Sequence, residues 1–335
     1  MFAGFANVWT PVAVADHLRE GRPLAVTIAG TKVVVFRDAA GRAAALIDRC
    51  PHRGVALSLG TVKEGCLECP FHGWRFEASG EARHVPWNPD AKLGNLHATA
   101  VPVRELGGQI WIFTAPVDAG APPDEPTVNE ALLRPGVRVS GFSAVWDTHW
   151  TRAMENMLDW PHLPFVHRRT IGKSMIGRSG ARMDVLWDEE PWGARTRIRI
   201  DGKDEPASLD LRWPNQMNLH IPIPGKLLMM LVACVPIDDG HTLMLLTMAR
   251  DFFTSRIFDW VFHRMNARIA AEDKAILESS YPAEVPPASE EKSVRTDGLT
   301  LMFRKRYFAE LQGSRSGSSD APKRALPVVE QAGAR

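Results

Sequence analysis

The chain is poor in cysteine, in net charge and in long apolar runs, and each shortage removes a class of protein. Four cysteines among 335 residues cannot staple a disulfide scaffold and suit a reducing compartment, so a cytoplasmic location is expected. The opening residues Met-Phe-Ala-Gly-Phe-Ala-Asn-Val-Trp carry neither the basic region nor the long apolar region of a secretory leader. A formal net charge of +1 gives no field to hold nucleic acid or an anionic membrane, and neither partner is expected. The longest apolar stretch, residues 227–235, is about half of what spans a bilayer, so no membrane span is expected. There is no Gly-x-Gly-x-x-Gly and no flavin motif, so dinucleotide chemistry would belong to another polypeptide. There is also no internal repeat. Against these absences, 45% hydrophobic residues allow a sizeable core and two domains.

What the chain does have is Cys50-Pro-His52-Arg-Gly54 and Cys69-Pro-Phe-His72-Gly73-Trp74. Together they offer two thiolates and two imidazoles, the donor set of a Rieske [2Fe–2S] centre, in which two histidines replace two cysteines on one iron. The competing reading is a structural zinc site made by Cys50, Cys66, Cys69 and His72. Zinc has no use for His52, for a proline after Cys50 and Cys69, or for a glycine after His72. Two loop tips closing over a flat cluster use all of these: prolines fix φ, and Gly54 and Gly73 let the backbone approach the sulfurs. Cys66 is then expected in a strand and Cys234 in the core.

Short β-branched runs at 24–29, 32–36 and 43–48 read as a meander of strands, and 98–103 and 109–114 as closing strands. Residues 116–136 gather Pro116, Pro122, Pro123, Pro126, Pro135, Gly120 and Gly136 and read as a linker. Residues 1–115 are therefore expected to form an all-β domain and 137–312 a second, α+β domain. Its strands are expected at 139–150, 194–200, 227–236 and 241–249, and its helices near 151–160 and 253–281. Residues 313–335, rich in Ser, Gly, Pro and Ala, read as a disordered tail.

The second domain opens with Glu155-Asn-Met-Leu-Asp159-Trp-Pro-His162-Leu-Pro164-Phe-Val-His167. Five residues apart on a continuous helix, His162 and His167 would diverge by about 140°. Pro164 is expected to break the helix and swing His167 back. Glu155, Asp159 and His162 are expected on one helical face. A third ligand would complete a two-histidine, one-carboxylate site for non-haem iron. Asp273 falls four residues after Ile269 and three before Ile276, on the stripe Val261, Met265, Ile269, Ile276 and Leu277 that is expected to be buried. A carboxylate there must be neutral, paired or metal-bound. Glu272, nearer the stripe's edge, is its rival.

With these motifs in hand, the chain resembles the α-subunits of the Rieske non-haem iron oxygenases. Cys50-x-His52-x₁₆-Cys69-x₂-His72 matches their cluster motif, and Glu155-x₃-Asp159-x₂-His162-x₄-His167 their iron motif. Glu272-Asp273-Lys274-x₃-Glu278 is similar to the segment bearing their carboxylate ligand, with Asp273 at the ligating position. Respiratory Rieske proteins fit less well: their two extra cysteines are replaced by Val55 and Phe71.

The resemblance implies a helix-grip catalytic domain behind a Rieske domain, with one [2Fe–2S] cluster and one mononuclear Fe(II) per subunit. It implies a head-to-tail homotrimer in which Asp159 bridges its own His162 and the His72 of an adjacent subunit. O₂ would be activated with NAD(P)H electrons delivered by a separate reductase, with or without a ferredoxin. The compact chain is similar to the branch containing dicamba monooxygenase and the O- and N-demethylases. That favours monooxygenation of a hydrophobic or aromatic small molecule over ring cis-dihydroxylation, and both over a bare electron carrier. Candidate pocket residues are Asn215, Met217, Asn218 and Met230, with Gln216, His220 and Arg212 as further polar groups. Arg152, Arg168 and Arg169 could meet an acidic ferredoxin.

Overall fold

The computed structural model describes residues 1–120, 122 and 124–312; the expected tail at 313–335 lies outside them. In the N-terminal half, loops and short 3-10 turns join three small antiparallel sheets. They are built from β1 (Trp9–Val14), β2 (Leu24–Ile28), β3 (Thr31–Arg37), β4 (Ala43–Ile47), β5 (Thr61–Lys63), β6 (Cys66–Glu68), β7 (Arg75–Phe76), β8 (Ala82–His84), β9 (Val103–Leu106) and β10 (Gln109–Phe113). The sheets run β1-β10-β9, β2-β3-β4 and β5-β6-β7-β8. Cys66 lies in β6, opposite Lys63.

The second half is one antiparallel sheet with helices on one face. Its strands are β11 (Arg138–Trp146), β12 (Met183–Glu190), β13 (Gly193–Ile200), β14 (Lys203–Asp204), β15 (Ser208–Arg212), β16 (Gln216–His220), β17 (Leu228–Pro236) and β18 (Thr242–Arg250). Their order is β11-β18-β17-β16-β15-β13-β12, with β14 beside β13. The helices are α1 (Trp150–Leu158), α2 (Leu163–Val166), α3 (Asp259–Leu277) and α4 (Gly298–Tyr307). None among the described residues is long and apolar enough to cross a membrane.

Strand parity assigns the two faces of this sheet, because side chains alternate and paired residues share a face. Ser140, Phe142, Met217, Met230, Leu246, Met248 and Arg250 fall on one side by register. That side meets α3: Arg250 pairs with Asp259, and Phe142 packs on His263 with ring centroids 4.4 Å apart. The opposite side, with Gln216, Asn218, Leu231 and Thr247, meets the N-terminal half. There Gln109 donates to Thr247 Oγ1 at 3.2 Å and accepts from Gln216 at 3.3 Å.

The segment 116–136, expected as a linker, carries a short turn at Glu130–Leu133 whose Ala131 and Leu132 are buried in one cluster with Met229 and Leu231. One core runs through both halves, joining Phe2, Phe5 and Val12 to Trp146, Val232 and Met244.

Two expectations need correction. The expected buried stripe of α3 is displaced. Val261, Met265 and Ile276 are 51%, 43% and 53% exposed. The buried seam is Asn266, Ile269, Ala270, Asp273 and Leu277. In its first half the seam lies one residue, or about 100°, further round the helix than the large apolar residues suggest. The salt bridges of Asp259 to Arg138 (2.6 Å) and to Arg250 fix this rotation.

Finally, the helix carrying the histidine motif ends earlier than Pro164. Asp159 is already extended, with φ −82° and ψ 124°. Pro161 disfavours helical backbone at Trp160, the residue just before it, so the helix has little room to continue past Asp159. Pro164 instead lies in the first turn of α2, where a missing N–H is harmless. Glu155 therefore shares no helical face with Asp159 and His162. It turns to Arg304, at 2.9 Å through Nη2, and to Arg152 at 3.4 Å.

Candidate metal centres

Two loops of the N-terminal half are closed in the same way. Cys50 N–H donates to Val55 O at 2.8 Å, and Gly54 N–H returns to Cys50 O at 2.9 Å. Cys69 N–H donates to Trp74 O at 2.8 Å, and Gly73 N–H returns to Cys69 O at 3.0 Å. Both glycines sit at positive φ, +73° and +69°, where a side chain would strain the turn. The loops bring the rings of His52 and His72 to 4.7 Å, and His52 stacks on Trp74 at 4.5 Å.

Both cysteines are buried, and burial with the facing Cys69 pushes the Cys50 thiol up to about 11. Burial and His72 hold the His52 imidazole below its ordinary value, in the neutral form that can ligate. Its Nδ1 is buried without a hydrogen-bond partner. Two buried sulfurs and an orphaned ring nitrogen converge at the loop tips, a donor set that a [2Fe–2S] cluster would satisfy. A single zinc ion fits less well. Among the described residues only one set of three or more Cys, His, Asp or Glu ligand atoms lies within 4.8 Å of one another, and it contains no cysteine.

That set is His162, His167 and Asp273. His162 stands just after α1, His167 closes α2, and Asp273 projects from the buried seam of α3. Asp273 Oδ1 lies 3.1 Å from His167 Nε2 and 3.7 Å from His162 Nε2. That oxygen is buried and has no polar partner beyond its approach to the two rings. Leaving a carboxylate so placed without a cation costs several kcal/mol, so the donors present fit a metal ion.

The outer nitrogen of each ring faces a carboxylate. His162 Nδ1 is 3.2 Å from Asp159 Oδ2, and His167 Nδ1 is 2.9 Å from Glu272 Oε2. An N–H on each Nδ1 leaves each Nε2 lone pair turned toward Asp273. Burial pushes His167 down, but Asp273 and Glu272 outweigh it and hold its pKa above the ordinary value.

The four pocket candidates separate. Met217 and Met230 point to the helix-covered face and Asn218 to the opposite one. Asn215 donates to Thr10 Oγ1 at 2.9 Å and to Cys234 O at 3.0 Å, within the seam between the two halves. Gln216 is engaged with Gln109 and His220 with Asp210 at 3.2 Å. Arg212, far from being exposed, is buried with its guanidinium 3.8 Å from the Trp192 ring centre. Arg152 is likewise buried and paired with Glu291 at 2.7 Å, whereas Arg168 and Arg169 are exposed.

The sequence reading held Glu272 only as a rival of Asp273, whereas its Oε2 faces His167 Nδ1, and one residue escaped that reading altogether. Asn266, two turns before Asp273 on the same seam, is buried with its Oδ1 unpartnered. The seven-residue spacing from Asp273 could have revealed it. Beside α2 lies a cavity of about 340 Å³ lined by Pro161, Pro164, Phe165, Met175, Met183 and Ile200.

Comparison with known proteins gives two family matches, to the Rieske [2Fe–2S] domain over residues 8–101 and to the vanillate O-demethylase oxygenase C-terminal domain over 146–309. Methylxanthine N1-demethylase NdmA of Pseudomonas putida is 27% identical over 345 residues, covering 97% of this chain and 94% of that protein. The dicamba O-demethylase oxygenase component of Stenotrophomonas maltophilia is 34% identical over 165 residues, 48% of this chain and 47% of that one. The solved structure of Pseudomonas putida NdmA superposes with a TM-score of 0.74 at 26% identity, covering 96% of this chain and 98% of that one. Dicamba monooxygenase bound to dicamba, at 21% identity and a TM-score of 0.78, shares the fold over 92% of this chain and 98% of that one.

Proposed function

This chain belongs to the Rieske non-haem iron oxygenases, and from that membership we propose that it carries out monooxygenation, by hydroxylation or oxidative O- or N-demethylation, of a hydrophobic or aromatic small molecule. Enzymes of this family carry a [2Fe–2S] cluster and a mononuclear iron, use O₂ and take electrons from a separate reductase. Cys50, His52, Cys69 and His72 would hold the cluster, and His162, His167 and Asp273 the mononuclear iron. When bound, that iron supplies reductive activation of O₂. The chain's own residues orient the ligands, exclude water and place the substrate.

One observation carries the reading: a buried carboxylate and two histidines bring their ligand atoms within 4.8 Å of one another in the same chain that bears the cluster loops. A bare electron carrier has no need of that second site. In a demethylation, a methyl group on oxygen or nitrogen, O₂, two electrons and two protons give the demethylated product, formaldehyde and one water. Met217 and Met230, on the helix-covered face, are the residues proposed to meet a hydrophobic substrate.

The electrons are proposed to originate from NAD(P)H, reach the cluster with or without a ferredoxin, and cross between subunits of a homotrimer. Asp159 would accept a hydrogen bond from the neighbouring subunit's His72. Half-buried Asp159 and exposed His72, with Phe71 and Trp87 standing out beside it, support such a contact. The test is turnover with a surrogate flavin reductase against methoxyarenes and N-methylated heteroarenes. Formaldehyde equal to the demethylated product supports the reading, and a cis-diol product would overturn it.

A further inference from the structure

The two carboxylates behind the histidines come from different places. Asp159 precedes His162 by three residues, while Glu272 reaches His167 from 105 residues away in sequence, on α3 beside Asp273. We propose that Glu272 is a positioning residue which, with Thr170, locks the tautomer and ring plane of His167 so that its Nε2 meets the metal. The inference rests on His162, His167 and Asp273 being the iron ligands.

Glu272 Oε2 is held by two donors, His167 Nδ1 at 2.9 Å and the Thr170 hydroxyl at 2.6 Å. Thr170 is presented by a closed turn. His167 N–H donates to Leu163 O at 3.1 Å, and Thr170 N–H and Gly172 N–H both donate to His167 O, at 2.9 and 3.0 Å. The carboxylate is thus tied to the backbone segment that carries the histidine. Consecutive residues on a helix diverge by about 100°. Glu272 therefore reaches the back of the imidazole while Asp273 Oδ1 stands 3.1 Å from Nε2 at its front. A single turn of α3 grips His167 from both sides. A carboxylate accepting a ligand histidine's outer N–H orients the ring and raises its basicity, and losing it weakens metal binding about 10- to 100-fold.

The test uses full-length protein with its cluster intact and its mononuclear iron removed by a chelator, then reloaded with ferrous iron alone under chelator competition. Glu272→Ala is expected to bind ferrous iron about 10- to 100-fold more weakly and to change the EPR rhombicity of the ferrous nitrosyl adduct. The reduced-cluster EPR signal should be unchanged. Glu272→Gln, which keeps an acceptor oxygen, should recover most of the affinity, and Thr170→Val should weaken it in the same direction by less. Wild-type affinity and nitrosyl spectrum in Glu272→Ala would overturn the proposal. If that variant loses its cluster signal, wild-type affinity and nitrosyl spectrum in Thr170→Val overturn it. His162→Ala separates the two levels. Iron retained there means that the ligand assignment itself fails, whereas iron lost there but kept in Glu272→Ala removes only the role of Glu272.

Discussion

Asp159 and Glu272 each bond the outer nitrogen of a histidine, yet their surroundings separate the phenotypes to be expected. Asp159 is half-buried beyond the end of α1 and also accepts the backbone N–H of His162 at 3.0 Å. Asp159→Asn should keep both metals and lower turnover on the order of 10- to 100-fold. Iron analysis together with the rate of cluster reoxidation in the presence of substrate checks this, and normal turnover would mean that electrons take another path. His162→Ala should lose the mononuclear iron and retain the cluster, giving about two irons per chain in place of three if the cluster carries two.

At this scale the sequence is informative where donors sit in short local motifs. Cys50 with His52, Cys69 with His72, and His162 with His167 are each separated by five residues or fewer. Asp273 shares its buried seam with Ile269 and Leu277 of the expected stripe, whereas Val261, Met265 and Ile276 of that stripe are exposed. Glu272 could not be placed, because its partner His167 lies on another helix and no periodicity reports that contact.

At the scale of elements, the turn after α2 is the most sharply constrained. A Cβ at Gly172 would come within 1.9 Å of Leu163 O, a backbone atom that cannot yield without moving His167. Gly172→Ala should therefore lower mononuclear iron occupancy and the melting temperature together, by about 1–3 kcal/mol in stability. Calorimetry and iron analysis on the same preparation would show it; an unaffected iron content would mean the turn does not set the histidine. The sheet gives a second contrast. Met217→Phe, on the helix-covered face, is expected to shift KM for an aromatic substrate. Asn218→Ala, on the opposite face, should alter stability and leave KM unchanged, and equal KM shifts would contradict this division of the faces. Strand existence was legible at β17, a continuous apolar run, and at β18, an apolar run interrupted by Thr247. Which face each residue takes was not, because it depends on register with strands distant in sequence. Pro161 and Pro164 show the same limit: both can end a helix, and the backbone breaks at the first.

For the molecule as a whole, a buried ion network ties α1 to α4 and to the segment between α3 and α4. Arg304 and Arg152 both reach Glu291, at 2.6 and 2.7 Å. The Arg152 guanidinium, acting against partial burial and joined by Arg304, holds the Glu291 carboxyl down at about 2. A depressed carboxylate contributes stability that is fully present above its unfolded value of 4.5 and is lost as pH falls toward about 2. Thermal unfolding across that interval should show a loss of roughly 2 kcal/mol, and Glu291→Gln should flatten it. Burial pushes Glu155 upward, which opposes part of this slope. If the wild type and Glu291→Gln lose stability in parallel, the network is not the acid-sensitive element.

The shared core has a practical corollary for anyone grafting the electron-accepting module onto a different oxygenase. The proline-rich stretch at 116–136 looks like a natural cut site, but a cut there would strand Phe5 from Trp150, whose rings meet at 5.3 Å. It would also separate Ala29 N–H from Pro236 O, at 2.7 Å. A chimera joined at that stretch would inherit two mismatched surfaces. One that exchanges residues 1–120 must also carry over the partners on α1 and β17, so the transplantable unit is a three-dimensional patch and not a segment of chain.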